Sequence, residues 1–283
     1  MKRFLSILLA VMLLGTAAVA DSAPGALTLS EGEPISVDLD GDGTEERVGW
    51  TMRATDYEPE LWLTVEPEGG APVEYGTPIL WGQSAFVVDL DGDGVREILL
   101  TGDEMSDDYV TFCLRYEGGE LREILFPDAA RGDNGGGYFK WGYGRVTDFG
   151  ENRVTLSGSQ DVLGTWFAER TFALTPLYRF EFADDGLWVR NADLADDDLW
   201  EYGALELKAA LPYADVDGSP AGALEPGDRI LIIASDKRET ARFVTRDGRE
   251  GVLAISPDYE RGWGLLVNGV PEDEIFTFVP YAD

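Results

Sequence analysis

The stretch Asp38-Leu39-Asp40-Gly41-Asp42-Gly43-Thr44-Glu45-Glu46 recurs 51 residues later as Asp89-Leu90-Asp91-Gly92-Asp93-Gly94-Val95-Arg96-Glu97. Both copies place carboxylates at positions 1, 3, 5 and 9, with Gly at position 6. Alternate acidic residues in a tightly curled loop converge on one point, and Gly takes backbone geometry that a Cβ resists. Position 7, Thr44 or Val95, can then offer its backbone carbonyl. The cage is all oxygen and strongly negative, which suits a hard divalent cation. Ca²⁺ is expected before Mg²⁺ because the ligands are many and come from a flexible loop. The expected ligands are Asp38, Asp40, Asp42, Thr44 and Glu46 in one loop, and Asp89, Asp91, Asp93, Val95 and Glu97 in the other. A single Asp-Gly run would pass as a turn former. Two copies with the same placement favour a ligand cage.

The flanking residues decide between two kinds of calcium loop. An EF-hand needs a bidentate Glu at position 12 and a helix on each side. Position 12 holds Gly49 and Leu100, and the flanks are short apolar runs: Ile35-Ser-Val37, Val48-Gly-Trp50, Ala85-Phe-Val-Val88 and Ile98-Leu-Leu100. Runs this short and rich in β-branched or aromatic residues read as strands. The pattern D-x-D-G-D-G-x-x-E between two strands resembles the calcium loop of FG-GAP/VCBS-type repeats, the blades of integrin-like β-propellers. The resemblance is carried by residues 35–50 and 86–102 and implies an all-β, blade-like repeat domain over residues 21–200. The 51-residue offset is close to the length of a four-stranded blade. A third copy reads from Gly144 to Gly158, with a loop three residues shorter and no Asp ladder, so no metal is expected there. Three units are too few for an ordinary closed propeller, so an open or partial arrangement is expected.

Compartment and chemistry follow from what surrounds the loops. Met1-Lys2-Arg3, the apolar stretch Phe4 to Leu14 and Ala18-Val19-Ala20 fit a signal peptide over residues 1–20, which points to a secreted or extracytoplasmic protein. Without Lys2 and Arg3 the chain has 20 basic and 54 acidic residues, a net charge of −34. That charge disfavours nucleic acid and anionic membranes as partners. The chain has no His, which excludes Ser-His-Asp and Cys-His nucleophilic systems and His-ligated Zn or Fe. Cys113 is the single cysteine, cannot form an intramolecular disulfide and reads as a structural residue on a strand. The Gly-rich stretch 128–137 reads as a loop, and its Arg131-Gly132-Asp133 is a match short enough to arise by chance.

An acidic connector, Asn191 to Asp198, separates the repeats from residues 203–283. That last part resembles a bacterial SH3-like β-barrel on Leu224-Glu-Pro-Gly-Asp-Arg-Ile-Leu-Ile-Ile233, Ala241 to Thr245, the turn Arg246-Asp-Gly248 and Glu250 to Ala254. Trp263 to Gly269 and Ile275 to Val279 read as supplying one or two closing strands. The expected protein is a non-catalytic, calcium-stabilised binding or scaffold protein of the cell envelope or exterior, with a protein, peptide or glycan ligand. The alternative is an extracellular carbohydrate-active hydrolase using two carboxylates, of which 54 acids supply many pairs by chance.

Overall fold

The computed structural model describes residues 25–56, 58–105, 108–127, 138–261 and 264–281. The expected signal peptide and the Gly-rich loop with Arg131-Gly132-Asp133 lie outside the described residues, as does Trp263. The chain is all-β, built of antiparallel sheets none of which closes on itself. No helix among the described residues is long and apolar enough to cross a membrane.

Three antiparallel meanders follow one another. The first is Ile35–Val37, Glu46–Arg53, Glu60–Glu66 and Val73–Gly76. The second is Trp81–Val88, Glu97–Asp103, Tyr109–Glu117 and Glu120–Glu123. The third is Arg145–Gly150, Arg153–Asp161, Thr165–Leu174 and Phe180–Phe182. In each, a strand pairs with its successor in chain order. The acidic loops join the first two strands of the first two meanders, with Val37 opposite Glu46 and Val88 opposite Glu97. In the third, the loop has shrunk to Glu151 and Asn152, at φ 50° and 63°. Two successive positive φ values match the right-handed twist of the flanking strands and close a tight hairpin.

Side chains alternate across a strand, so the second meander buries both faces. Val87, Ile98, Leu100 and Phe112 pack with Leu61, Leu63 and Val65 of the first meander. Phe86, Val88, Leu99 and Cys113 pack with Phe149, Val154, Leu156 and Phe172 of the third. Burial pushes the Cys113 thiol pKa well up, as expected of a structural residue. The stacking repeats at the backbone too. Arg96 N–H donates to the Leu39 carbonyl at 2.8 Å, and Asn152 N–H donates to the Leu90 carbonyl at 2.7 Å. The outer face of the first meander is polar, with ion pairs Arg47–Glu66 and Arg53–Glu74, and Arg53 lies over Trp62. A polar outer face suits the end of a stack.

The third meander runs on into the C-terminal part. Thr165–Leu174 pairs with Trp188–Arg190, which pairs with Arg229–Ser235. Thr240–Thr245, Glu250–Pro257, Leu211–Ala214 and Pro220–Leu224 extend the same ladder. Phe243, Leu253 and Phe276 share a hydrophobic cluster with the third meander. In the acidic connector, Asp196 caps a short helix, Asp197–Tyr202, by accepting from Asp198 N–H. That helix buries Trp200 with Leu231 and Val244. The tail meets expectation in its first half, where Leu265–Val267 is a strand paired with Glu250–Pro257, and departs from it in the second. Instead of a strand over Ile275 to Val279, Glu272–Ile275 is a helical turn begun after Pro271, and Phe276 makes one isolated bridge to Leu207. Burial of both Ile275 and Phe276 explains the switch, because successive strand residues would point to opposite faces.

Candidate metal centres

Each acidic loop is wound around its own carboxylates. In the first, Asp38 accepts from Gly41 N–H at 2.8 Å and Gly43 N–H at 2.9 Å, one on each oxygen. Asp40 accepts from Asp42 N–H at 3.2 Å, Asp42 from Thr44 N–H at 2.6 Å, and Glu46 from Leu39 N–H at 2.9 Å. In the second, Asp89 holds Gly92 and Gly94 at 2.7 and 3.0 Å, Asp91 holds Asp93 at 3.2 Å, and Asp93 holds Val95 at 2.8 Å. Glu97 holds Leu90 N–H at 2.9 Å. The two sets match donor for donor. Gly41, Gly43, Gly92 and Gly94 all lie at φ between 73° and 89°, conformations that only Gly adopts without strain.

Position 2 anchors the loop. Leu39 is fully buried in the core between the first and second meanders, and Leu90 is buried between the second and third. With the leucine fixed in the core, the acidic positions on either side are held at the edge of the stack. The two cages are neighbours there, since a Cβ on Gly41 would lie 3.3 Å from the Gly94 carbonyl.

The carboxylates converge. One oxygen from each of Asp38, Asp40 and Asp42 lies within 4.8 Å of the others, and so does one from each of Asp89, Asp91 and Glu97. Oxygens around a Ca²⁺ held at 2.3–2.6 Å are at most roughly 5 Å apart, so either trio fits one ion. Glu46, buried beneath the first trio, holds Leu39. Thr44 and Val95 are fixed through their N–H groups by Asp42 and Asp93. Asp93 Oδ2 is held by Arg115 at 3.1 Å and by the Tyr178 hydroxyl at 3.2 Å.

The electrostatics favour a cation. Burial raises Glu97 to about 7, and the Asp91 and Asp93 charges add to that against the Leu90 N–H and Arg115. Burial likewise raises Glu46, with Asp40 and Asp42 contributing, and raises Asp91 beside Asp93. Burial also acts to raise Asp93, but the Val95 N–H, Arg115 and Tyr178 outweigh it and hold Asp93 low. Buried carboxylates resisting their own charge, in an all-oxygen donor set, fit a divalent ion.

Arg115 and Tyr178 are neighbours of the second loop that the motif does not reveal. Arg115 sits opposite Glu97 in the ladder and ion-pairs with it at 3.3 Å, while the Tyr178 ring stacks 4.0 Å from the guanidinium. Leu at position 2 in both copies was a readable signal for the anchor; Arg115 and Tyr178 had none at the loop. Comparison with family models, curated proteins and solved structures finds no match to this chain.

Proposed function

We propose that this chain is a secreted or extracytoplasmic, non-catalytic calcium-binding scaffold. It would comprise an open arc of FG-GAP/VCBS-like blade units followed by an SH3-like module that presents surfaces to a protein, peptide or glycan. The observation that carries the reading is the donor-for-donor match between two loops in which carboxylates converge at one edge of a stacked core. An ion in each cage removes repulsion between carboxylates and fixes the edge on which a ligand would dock. Melting curves with and without millimolar Ca²⁺, against NaCl at matched ionic strength, test it. The melting temperature rises in Ca²⁺ well beyond the NaCl control. A shift fully reproduced by NaCl would reduce both loops to turns.

A further inference from the structure

The two acidic loops touch, and one peptide unit joins them. Arg96 N–H, in the second loop, donates to the Leu39 carbonyl in the first at 2.8 Å. Leu39 stands between Asp38 and Asp40, two of the three carboxylates that converge there. Its own N–H is held by Glu46 at 2.9 Å. Leu39 therefore has its N–H fixed by one loop, its carbonyl by the other and its side chain by the core. The loop backbones pack together at the same place: a Cβ on Gly41 would lie 3.3 Å from the Gly94 carbonyl and 3.6 Å from Val95 Cγ2.

The other end of that peptide unit is a ligand position. The Val95 carbonyl and the Arg96 N–H belong to one planar trans group, in which they point in opposite directions. With the N–H on Leu39, the carbonyl is aimed away from the first loop and is left for the second. A cation drawing on that carbonyl polarises the peptide and strengthens its N–H as a donor. It also fixes the plane, so the first loop meets an ordered donor and spends less order on its own ion. The third unit makes the same link to the second, Asn152 N–H to the Leu90 carbonyl at 2.7 Å, but from a two-residue hairpin without a carboxylate cage. The second loop thus leans on a short hairpin, whereas the first leans on a loop that an ion tightens.

We propose that the two metal centres are coupled through the Val95–Arg96 peptide unit, an ion in either loop strengthening the hold of the other loop on its own ion. Coupling of binding is reciprocal, so one factor applies in both directions. The inference rests on the calcium reading and adds to it how the two sites act on each other. Repulsion between two divalent ions works against it, but salt screens that repulsion and leaves a hydrogen-bonded link in place.

The test titrates Ca²⁺ calorimetrically into the full chain, Asp40→Ala and Asp91→Ala, in about 0.1 M and about 1 M NaCl. The product of the two association constants of the unaltered chain exceeds the product of those that survive in the two variants by about fivefold, the low end of ordinary couplings. The excess remains in high salt. Arg96→Pro removes the N–H, keeps every carboxylate and abolishes the excess, whereas Arg96→Ala keeps both the N–H and the excess. If Arg96→Pro does not fold, the products in high salt decide alone. Equal products in high salt would overturn the coupling and leave two independent calcium sites. An excess present only in low salt would be through-space charge and would overturn the peptide route. No heat at either loop would remove the calcium reading, and the coupling with it.

Discussion

The two acidic loops share sequence pattern and hydrogen bonds, yet they stand in different electrical surroundings. The second has its own cation: Arg115 pairs with Asp93 and Glu97 and is only 11% exposed, under the ring of Tyr178. Among the described residues the first has no such neighbour. The strand opposite it ends at Glu66, and Pro67 follows. In the first loop Asp38, Asp40 and Asp42 converge, whereas in the second Asp93 is drawn toward Arg115 and Glu97 joins Asp89 and Asp91. A repeated motif therefore specifies a cluster of converging carboxylates, while the residue facing it across the ladder sets how much of their charge is offset within the chain. The first loop should depend more on Ca²⁺, because an internal cation already offsets part of the repulsion in the second.

Breaking the anchors is the largest perturbation. Leu39→Ala and Leu90→Ala each remove a side chain buried between two sheets and should cost about 2–5 kcal/mol. Each should also weaken Ca²⁺ binding at its own loop, which denaturant titrations with and without the ion will show. Equal loss of affinity at both loops from either change would mean the cages are not separately anchored.

Arg115→Met is next and acts on the difference itself. In chelator it leaves Glu97 buried without its cation, a loss of about 3 kcal/mol or more by analogy with other broken buried pairs. In Ca²⁺ most of that loss should disappear, and the affinity of the second loop should rise. A variant equally destabilised with and without Ca²⁺ would show that Arg115 acts only as packing.

The pH dependence is smaller, and its sign is set by Glu97. Its pKa in the folded chain, about 7, lies above the ordinary 4.5, so the folded state holds the proton more tightly than the unfolded state. The ion-free protein is therefore favoured below pH 4.5 and loses stability as pH rises toward 7. Bound Ca²⁺ replaces the proton as counter-charge, so the decline should flatten in calcium. Melting temperatures across pH 4–8, with and without the ion, check this. A decline of the same slope under both conditions would assign it to net charge alone.

The third unit supplies the smallest effect. Glu151→Gly relieves a positive φ in a hairpin that has no cage, so it should stabilise by up to about 1 kcal/mol independently of Ca²⁺. Calcium dependence in that variant would tie the third unit to the ions.

Local features were legible because they depend on residues close in sequence. Asp and Gly spacing marks the loops, short apolar runs rich in β-branched or aromatic residues mark the strands, and the shortened third copy is visible from Gly144 to Gly158. Long-range features were not. Arg115 reaches Glu97 only through strand register, and Tyr178 reaches Asp93 from 85 residues away. The link from Arg96 to Leu39 joins two loops whose meeting depends on how the sheets stack. The acidic connector Asn191 to Asp198 is exposed throughout, as its composition suggests, whereas Trp200 just beyond it is buried against the C-terminal sheet, a contact that composition does not reveal. In the tail the strand Leu265–Val267 was legible, but Ile275 to Val279 was misread because a short apolar run does not reveal whether its residues share one side or alternate.

The most direct measurement is calorimetric titration of Ca²⁺ into the chain from Asp21 onward, alongside Asp40→Ala and Asp91→Ala. Two sites are expected, with dissociation constants of roughly 10⁻⁴ to 10⁻³ M, as for extracellular calcium modules. The first loop should bind more tightly than the second, and each variant should lose one site and keep the other. No heat at millimolar Ca²⁺, or both sites surviving in both variants, would contradict the assignment of the loops as metal centres.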